Sequence, residues 1–222
     1  MDHIRFIYYH STHATSTGQQ RSEKPYNGQG AIISSIDASP NPESAQFQVP
    51  SSTPDDGLAS RLRDAMRGVA ATVTIVTTNS PEGTRYAMIA SSFTSVSLAP
   101  PTVLVCVNKH ASISAPLLAS RKLCINVLNT RQQEVALQCA RVRAHERFSE
   151  VGWQLDEAGL PYLEGAQAVL TCEIEQVIDG GSHHVVLGRV VRVVASSDVD
   201  PLLYLDGRFV QVSNEQGKDS AR

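Results

Sequence analysis

Residues 86–108 read YAMIASSFTSVSLAPPTVLVCVN. Apolar and small hydroxylated residues alternate as far as Leu98, a double proline follows, and a Val/Leu-rich run closes the stretch. Alternation with period two marks a strand with two unlike faces. The spacing predicts one strand running to Leu98, a loop forced by Pro100-Pro101, and a second strand over "TVLVCVN". On one regular strand Ser91, Phe93 and Ser95 share a face, and Ser92, Thr94 and Val96 share the other, so hydroxyls line both sides of Phe93. A wall of this kind offers neutral hydrogen bonds rather than charge.

Upstream, "ATVTIVTT" (71–78) is rich in β-branched residues and "NSPEG" (79–83) is a turn cluster, which predicts a hairpin with the opening stretch. Before it, "DDGLASRLRDAMRGVA" (55–70) sets Leu58, Leu62, Ala65, Met66 and Val69 at helical spacing behind an acidic first turn. Downstream, "KLCINVLN" (122–129) reads as a strand, and "SAPLLASR" (114–121) as a short helix that tolerates Pro116 only in its first turn. Thr130 with Gln133 predicts a capping box for a helix over "RQQEVALQCARV" (131–142). Two long β-rich runs meet at Asp179-Gly180-Gly181, a hairpin signal. Sequential hairpins without a β-helix-β rhythm predict a mainly β fold, an antiparallel barrel with peripheral helices.

The first 54 residues are dense in Ser, Thr, Gln, Asn, Gly and Pro, which predicts a disordered, low-complexity extension over 1–54, a folded domain over 55–213, and a polar tail over 214–222. Gly28-x-Gly30 lacks the third glycine and the preceding strand of a dinucleotide fingerprint. Nineteen Lys and Arg against 22 Asp and Glu give a formal charge of -3, so no long-range field favours nucleic acid or an anionic membrane. No apolar run approaches the roughly 18 residues of a membrane span, and the N-terminus lacks the basic region of a signal peptide. The expectation is a cytoplasmic protein. Cys106, Cys124, Cys139 and Cys172 are widely spaced without a C-x-x-C pair, which predicts reduced core thiols rather than a metal site.

Five motifs occur together and in order: A-S-S-F-T-S-V-S-L-x-P-P (90–101), N-V-L (126–128), R-F (147–148), G-x-H-x-x-x-x-G-x-V (181–190), and the closing "PLLYLDGRF" (201–209). Over roughly residues 58–212 the chain resembles the flavin reductase-like family, the small reductase components of two-component flavin-dependent monooxygenases. The resemblance implies an FMN-binding split barrel, a homodimer, reduction of FMN or FAD by NADH or NADPH, and diffusion of reduced flavin to a partner monooxygenase. It places the flavin against Arg85, Tyr86, Ala87, Met88 and Ile89, then Ser91 and Ser92, then Cys106, Val107, Asn108 and Ser112. Arg85, Lys109 and Arg147 are the cations available to a flavin phosphate, since charge-assisted bonds are about twice as strong as neutral ones. Gly181, His183 and Gly188 match the family's G-x-H…G motif, with Ser182 between the first two against the nucleotide and His183 bordering the nicotinamide as the residue closest to catalysis.

Strand geometry sends the neighbouring His184 to the opposite face, so the two histidines cannot chelate one metal side by side. Hydride transfer is the cofactors' own chemistry, and the chain carries none of the motifs of a serine hydrolase, zinc protease or P-loop NTPase. The chain departs from the family pattern at Ala87, Ile89, Ala99 and Ser182. A flavin- or haem-binding split-barrel module without turnover stands as the second reading. An oxidase of the pyridoxamine phosphate type is a third, disfavoured by the absence of a basic substrate cluster.

Overall fold

A computed structural model of the chain describes residues 56–149 and 152–212. The expected extension over 1–54 and the tail over 214–222 lie outside these residues. The elements run α1 (Asp56–Arg67), β1 (Ala71–Thr72), β2 (Thr74–Asn79), β3 (Arg85–Ala90), β4 (Thr94–Leu98), β5 (Pro101–Asn108), α2 (Ser114–Ser120), β6 (Lys122–Val127), α3 (Gln133–Arg141), β7 (Trp153–Leu155), β8 (Pro161–Leu163), β9 (Ala168–Gly180), β10 (His183–Ala195), β11 (Leu203–Leu205) and β12 (Arg208–Val210). Short 3-10 turns at Thr130–Gln132 and Ala144–Glu146 flank α3.

Seven strands form one sheet in the order β3-β2-β6-β9-β10-β5-β4, and every pairing in it is antiparallel. The opening stretch of the sequence is therefore two strands. β3 and β4 lie at opposite edges of the sheet, joined only by Ser91–Phe93. Flat, such a sheet is about 29 Å across from edge to edge at ~4.8 Å per strand. The joint from Ala90 to Thr94 spans about 15 Å at most, at 3.8 Å per residue. The sheet must curl, and Met88 and Ala90 of β3 meet Val103, Val105 and Val107 of β5 in a shared interior. No ladder joins β3 to β4 or β5 among the described residues, so the barrel closes by packing and is split along that seam.

Because the chain breaks at Ser91–Phe93, the face assignment expected for residues 91–96 does not hold across it. The predicted loop is also shorter than expected: Pro101 already pairs with Leu98, and only Ala99 and Pro100 turn the chain.

Side-chain parity sorts the sheet into an inside and an outside. Val76, Leu123, Ile125, Cys172, Ile174 and Val186 point inwards, and Ile113 and Leu117 of α2 pack into the same cluster. Ile75, Ala87 and Ile89 point outwards beneath Ala136 and Cys139 of α3, with Leu163 and Leu202. A third cluster, Cys124, Leu160, Ala166 and Val169, forms outside β6 and β9. Strands covered on both faces read as continuous apolar runs with Thr, as in β2, where only Asn79 is not buried. Buried Thr77 and Thr78 spend their hydroxyls on the Pro161 and Lys122 carbonyls, at 2.5 and 2.7 Å.

Two helical expectations shift. The capping box sits one residue earlier, at Asn129 and Gln132, and it opens the 3-10 turn ahead of α3. Thr130 instead bonds the Asp200 carboxylate. Of the predicted apolar stripe, Leu58 and Leu62 in α1 and Val69 beyond its end are exposed, and the helix is tied down by the Arg67–Asp206 ion pair at 2.8 Å.

Candidate functional site

The long β9–β10 hairpin turns at Gly181-Ser182, with Asp179 and Gly180 still in the ladder, and Gly181 takes φ +74°. A positive φ at the first turn position followed by an ordinary one is the type II′ pattern, whose twist suits a hairpin. The tip is fastened three ways. Lys109 Nζ donates to both carboxylate oxygens of Asp179 at 2.8 and 2.7 Å. The Gly181 amide donates to Asp179 Oδ1 at 2.8 Å, and the Lys109 amide to the Ser182 carbonyl at 3.1 Å. Hydrogen bonds from Lys109 and Gly181, with the lysine charge, hold the Asp179 carboxyl below its ordinary range.

Parity then sets what each strand shows outside. Val186 is interior, so His183 and Val185 face out. Val105 and Val107 are interior, so Cys106 and Asn108 face out. His183 pairs with Asn108 and Val185 with Cys106, which brings His183, Asn108 and Cys106 onto one outer face at adjacent register positions. His184 pairs with Val107 on the opposite face. Ser92 reaches the same place from the joint: the Cys106 amide donates to its hydroxyl at 3.0 Å, and the hydroxyl donates to the Cys106 carbonyl at 3.3 Å. The Ser92 side chain continues the β4–β5 ladder after the β4 backbone has left it.

The other expected residues divide by position. Arg85 opens β3 with its guanidinium 5.2 Å from the centre of the Phe148 ring, and Phe148 packs edge-on against Trp153 at 4.9 Å. Arg147 donates from one terminal nitrogen to the Ala87 carbonyl at 2.5 Å. Tyr86 is half-buried, whereas Ala87, Met88, Ile89 and Val107 are buried, so these four offer backbone at most. Ser91 is half-buried, and Ser112 is exposed ahead of α2. Lys109 is committed to Asp179 on the side away from His183.

Among the described residues two buried side-chain nitrogens in this set lack a partner, Arg147 Nε and His183 Nε2, while His183 Nδ1 lies 2.8 Å from the Ser182 hydroxyl. Leaving such groups unpaired costs about 1–3 kcal/mol each; Arg147 Nε is a donor, and whether His183 Nε2 donates or accepts follows the ring tautomer at the Ser182 contact. Sequence reasoning passed over Asp179, whose D-G-G setting reads only as a turn and gives no hint of the lysine 70 residues away.

Burial pushes the Cys124 and Cys172 thiols up to about 12 and that of Cys139 to about 11, so these three are inert. All four cysteines are free, and no cluster of metal-ligating side chains occurs among the described residues.

Residues 66–213 match the family model described as "Flavin reductase like domain". The chain is 34% identical over 155 residues to FMN reductase (NADH) RutF of Pseudomonas syringae pv. syringae, covering 69% of this chain and 86% of that protein. It is 38% identical over 158 residues to the 4-hydroxyphenylacetate 3-monooxygenase reductase component of Salmonella typhimurium, covering 70% and 92%. Among solved structures, the NADH:FAD oxidoreductase SgcE6 of Streptomyces globisporus C-1027, in complex with NAD and FAD fragments, superposes with a TM-score of 0.67 at 34% identity, covering 74% and 98%.

Proposed function

The chain belongs to the flavin reductase-like family, and from that membership we propose that it is an NAD(P)H:flavin oxidoreductase that supplies diffusible reduced FMN or FAD to a partner monooxygenase. The observation that carries the reading is the single outer face shared by Ser92, Cys106, Asn108 and His183 beside the seam of the barrel. When bound, the nucleotides supply the chemistry, a hydride passing from the reduced nicotinamide to the flavin ring. The chain's own residues bind and orient. Ser92 and Cys106, tied to each other, border the flavin side, the Asn108 side chain steadies the turn beyond it by accepting from the His110 amide at 2.8 Å, and His183 borders the nicotinamide. Arg85 and Arg147 are the cations left for a flavin phosphate, since Lys109 is engaged by Asp179.

A flavin that must depart is held modestly, with a Kd on the order of micromolar. The test is a matrix of NADH and NADPH oxidation against riboflavin, FMN and FAD. Turnover with at least one pair is expected. Saturable flavin binding without consumption of either nucleotide sinks the enzyme in favour of the cofactor-binding module.

The working form is a homodimer in the cytoplasm. Val96 and Leu98 of β4 and Val191 and Val193 of β10 are exposed around the Pro101 end of β5, and a second copy is the partner that best suits this apolar rim. No helix among the described residues is long and apolar enough to cross a membrane.

A further inference from the structure

At the end of the β9–β10 ribbon remote from His183, a cleft of about 440 Å³ opens outside the sheet. The Val194–Val169 register pair beside it lies eleven residues along β10 from the His183–Gly180 pair, roughly 35 Å of strand. The floor is apolar: Ala166 and Val169 are buried, and Leu163, Val194 and Ala195 complete it, with Tyr162 at one side. Two arginines line it from different elements, Arg131 from the turn before α3 and Arg192 from β10.

The walls are preformed. On one side the Glu164 amide donates to the Gly152 carbonyl at 2.8 Å, Gln132 Nε2 donates to the Glu164 carbonyl at 3.1 Å, and Asn129 Nδ2 to the Gly165 carbonyl at 2.6 Å. On the other the Ser196 amide donates to the Gln167 carbonyl at 2.9 Å. The Glu164 and Gly165 carbonyls of the rim are thus already engaged. Glu164 is the one carboxylate among the lining side chains, against two cations. Asp198 stands 3.9 Å from Arg131, but both side chains are more than three-quarters exposed, and an ion pair so placed holds a guanidinium weakly. A pocket of this size with an apolar floor and a few convergent polar groups has the form of a small-molecule site. The guanidinium fork matches carboxylate and phosphate alike, and the apolar floor favours an anion with an organic body.

We infer that this cleft binds a small organic carboxylate with an aromatic or branched apolar body, the carboxylate between Arg131 and Arg192 and the body on Ala166, Val169 and Val194. The site is separate from the outer face of His183 and stands whether or not the flavin reading does.

The test is calorimetry on the full chain, without flavin or nucleotide, using benzoate, its uncharged isostere benzamide, and inorganic phosphate as probes. Benzoate is expected to bind saturably with a Kd at or below about 1 mM, benzamide and phosphate at least about tenfold more weakly. Arg131→Gln and Arg192→Gln each weaken benzoate about tenfold, and Arg208→Gln, outside the cleft, leaves it unchanged. Val194→Asp sets a carboxylate on the floor and abolishes binding, an independent check should an arginine variant fold poorly. Absence of benzoate binding, equal binding of benzamide or phosphate, or benzoate affinity unmoved by both arginine variants overturns the proposal.

Discussion

The hydroxyls of residues 91–97 play several parts. Ser92 replaces backbone pairing with two hydrogen bonds to Cys106, whereas Ser97 accepts from the Ala99 amide at 3.1 Å in the turn. Ser92→Ala, which removes both bonds at a half-buried position, is expected to lower unfolding free energy by about 1–2 kcal/mol, and on the proposed function to raise the flavin KM; denaturant titration and steady-state kinetics measure the two. Thiol chemistry separates the cysteines: with Ellman's reagent at pH 8 only half-buried Cys106 reacts quickly in the native protein, and all four react in guanidinium. Two or more fast native thiols would contradict the buried, raised pKa values of the other three. Asp179 gives a pH signature. Its folded pKa is depressed, so what it contributes is complete above the unfolded value and is lost as pH falls through the folded one. The Gly181 amide resonance should therefore titrate with a midpoint below the usual Asp value of about 3.9, and Asp179→Asn should abolish that titration. At this scale the sequence was legible where parity alone decides, as in the separation of His183 from His184. It was silent where a partner is distant, as for Lys109 and Asp179.

Elements follow the local pattern closely, and their failures are instructive. N-x-x-Q at Asn129–Gln132 and T-x-x-Q at Thr130–Gln133 are equally good capping frames, and Asp200, far along the chain, decides between them by engaging Thr130. The apolar stripe of α1 declares a helix but not its burial, because periodicity records a face without recording a neighbour. In the β9–β10 hairpin two glycines have different reasons. Gly181 needs its positive φ, so Gly181→Ala costs about 1 kcal/mol. At Gly188 a Cβ would come 3.1 Å from that of Cys172, with Leu123 behind it. Gly188→Val should therefore be the worse change, by about 1–3 kcal/mol of overpacking. Thermal melts of the two variants, with Gly181→Ala the milder, check the order; the reverse order would mean that the strands at Gly188 move apart easily.

Across the whole molecule, the barrel was legible as a run of hairpins, but the closing joint was not, because no residue pattern announces that a strand leaves one edge for the other. The proposed homodimer makes a prediction that belongs here: Leu98→Arg with Val193→Arg should convert the dimer to monomers in sedimentation, leaving the circular dichroism spectrum intact, since both side chains are more than half exposed. A wild-type monomer at micromolar concentration removes that proposal. The Ser91–Phe93 joint carries a consequence for how the seam behaves. Two edges that share no ladder are nonetheless tethered by three residues, so each sees the other at the high effective concentration that a very short linker maintains. Strand edges left at such a seam, open templates for pairing with other chains, are met first and most often by their own partner, and a seam that parts recloses as an intramolecular event.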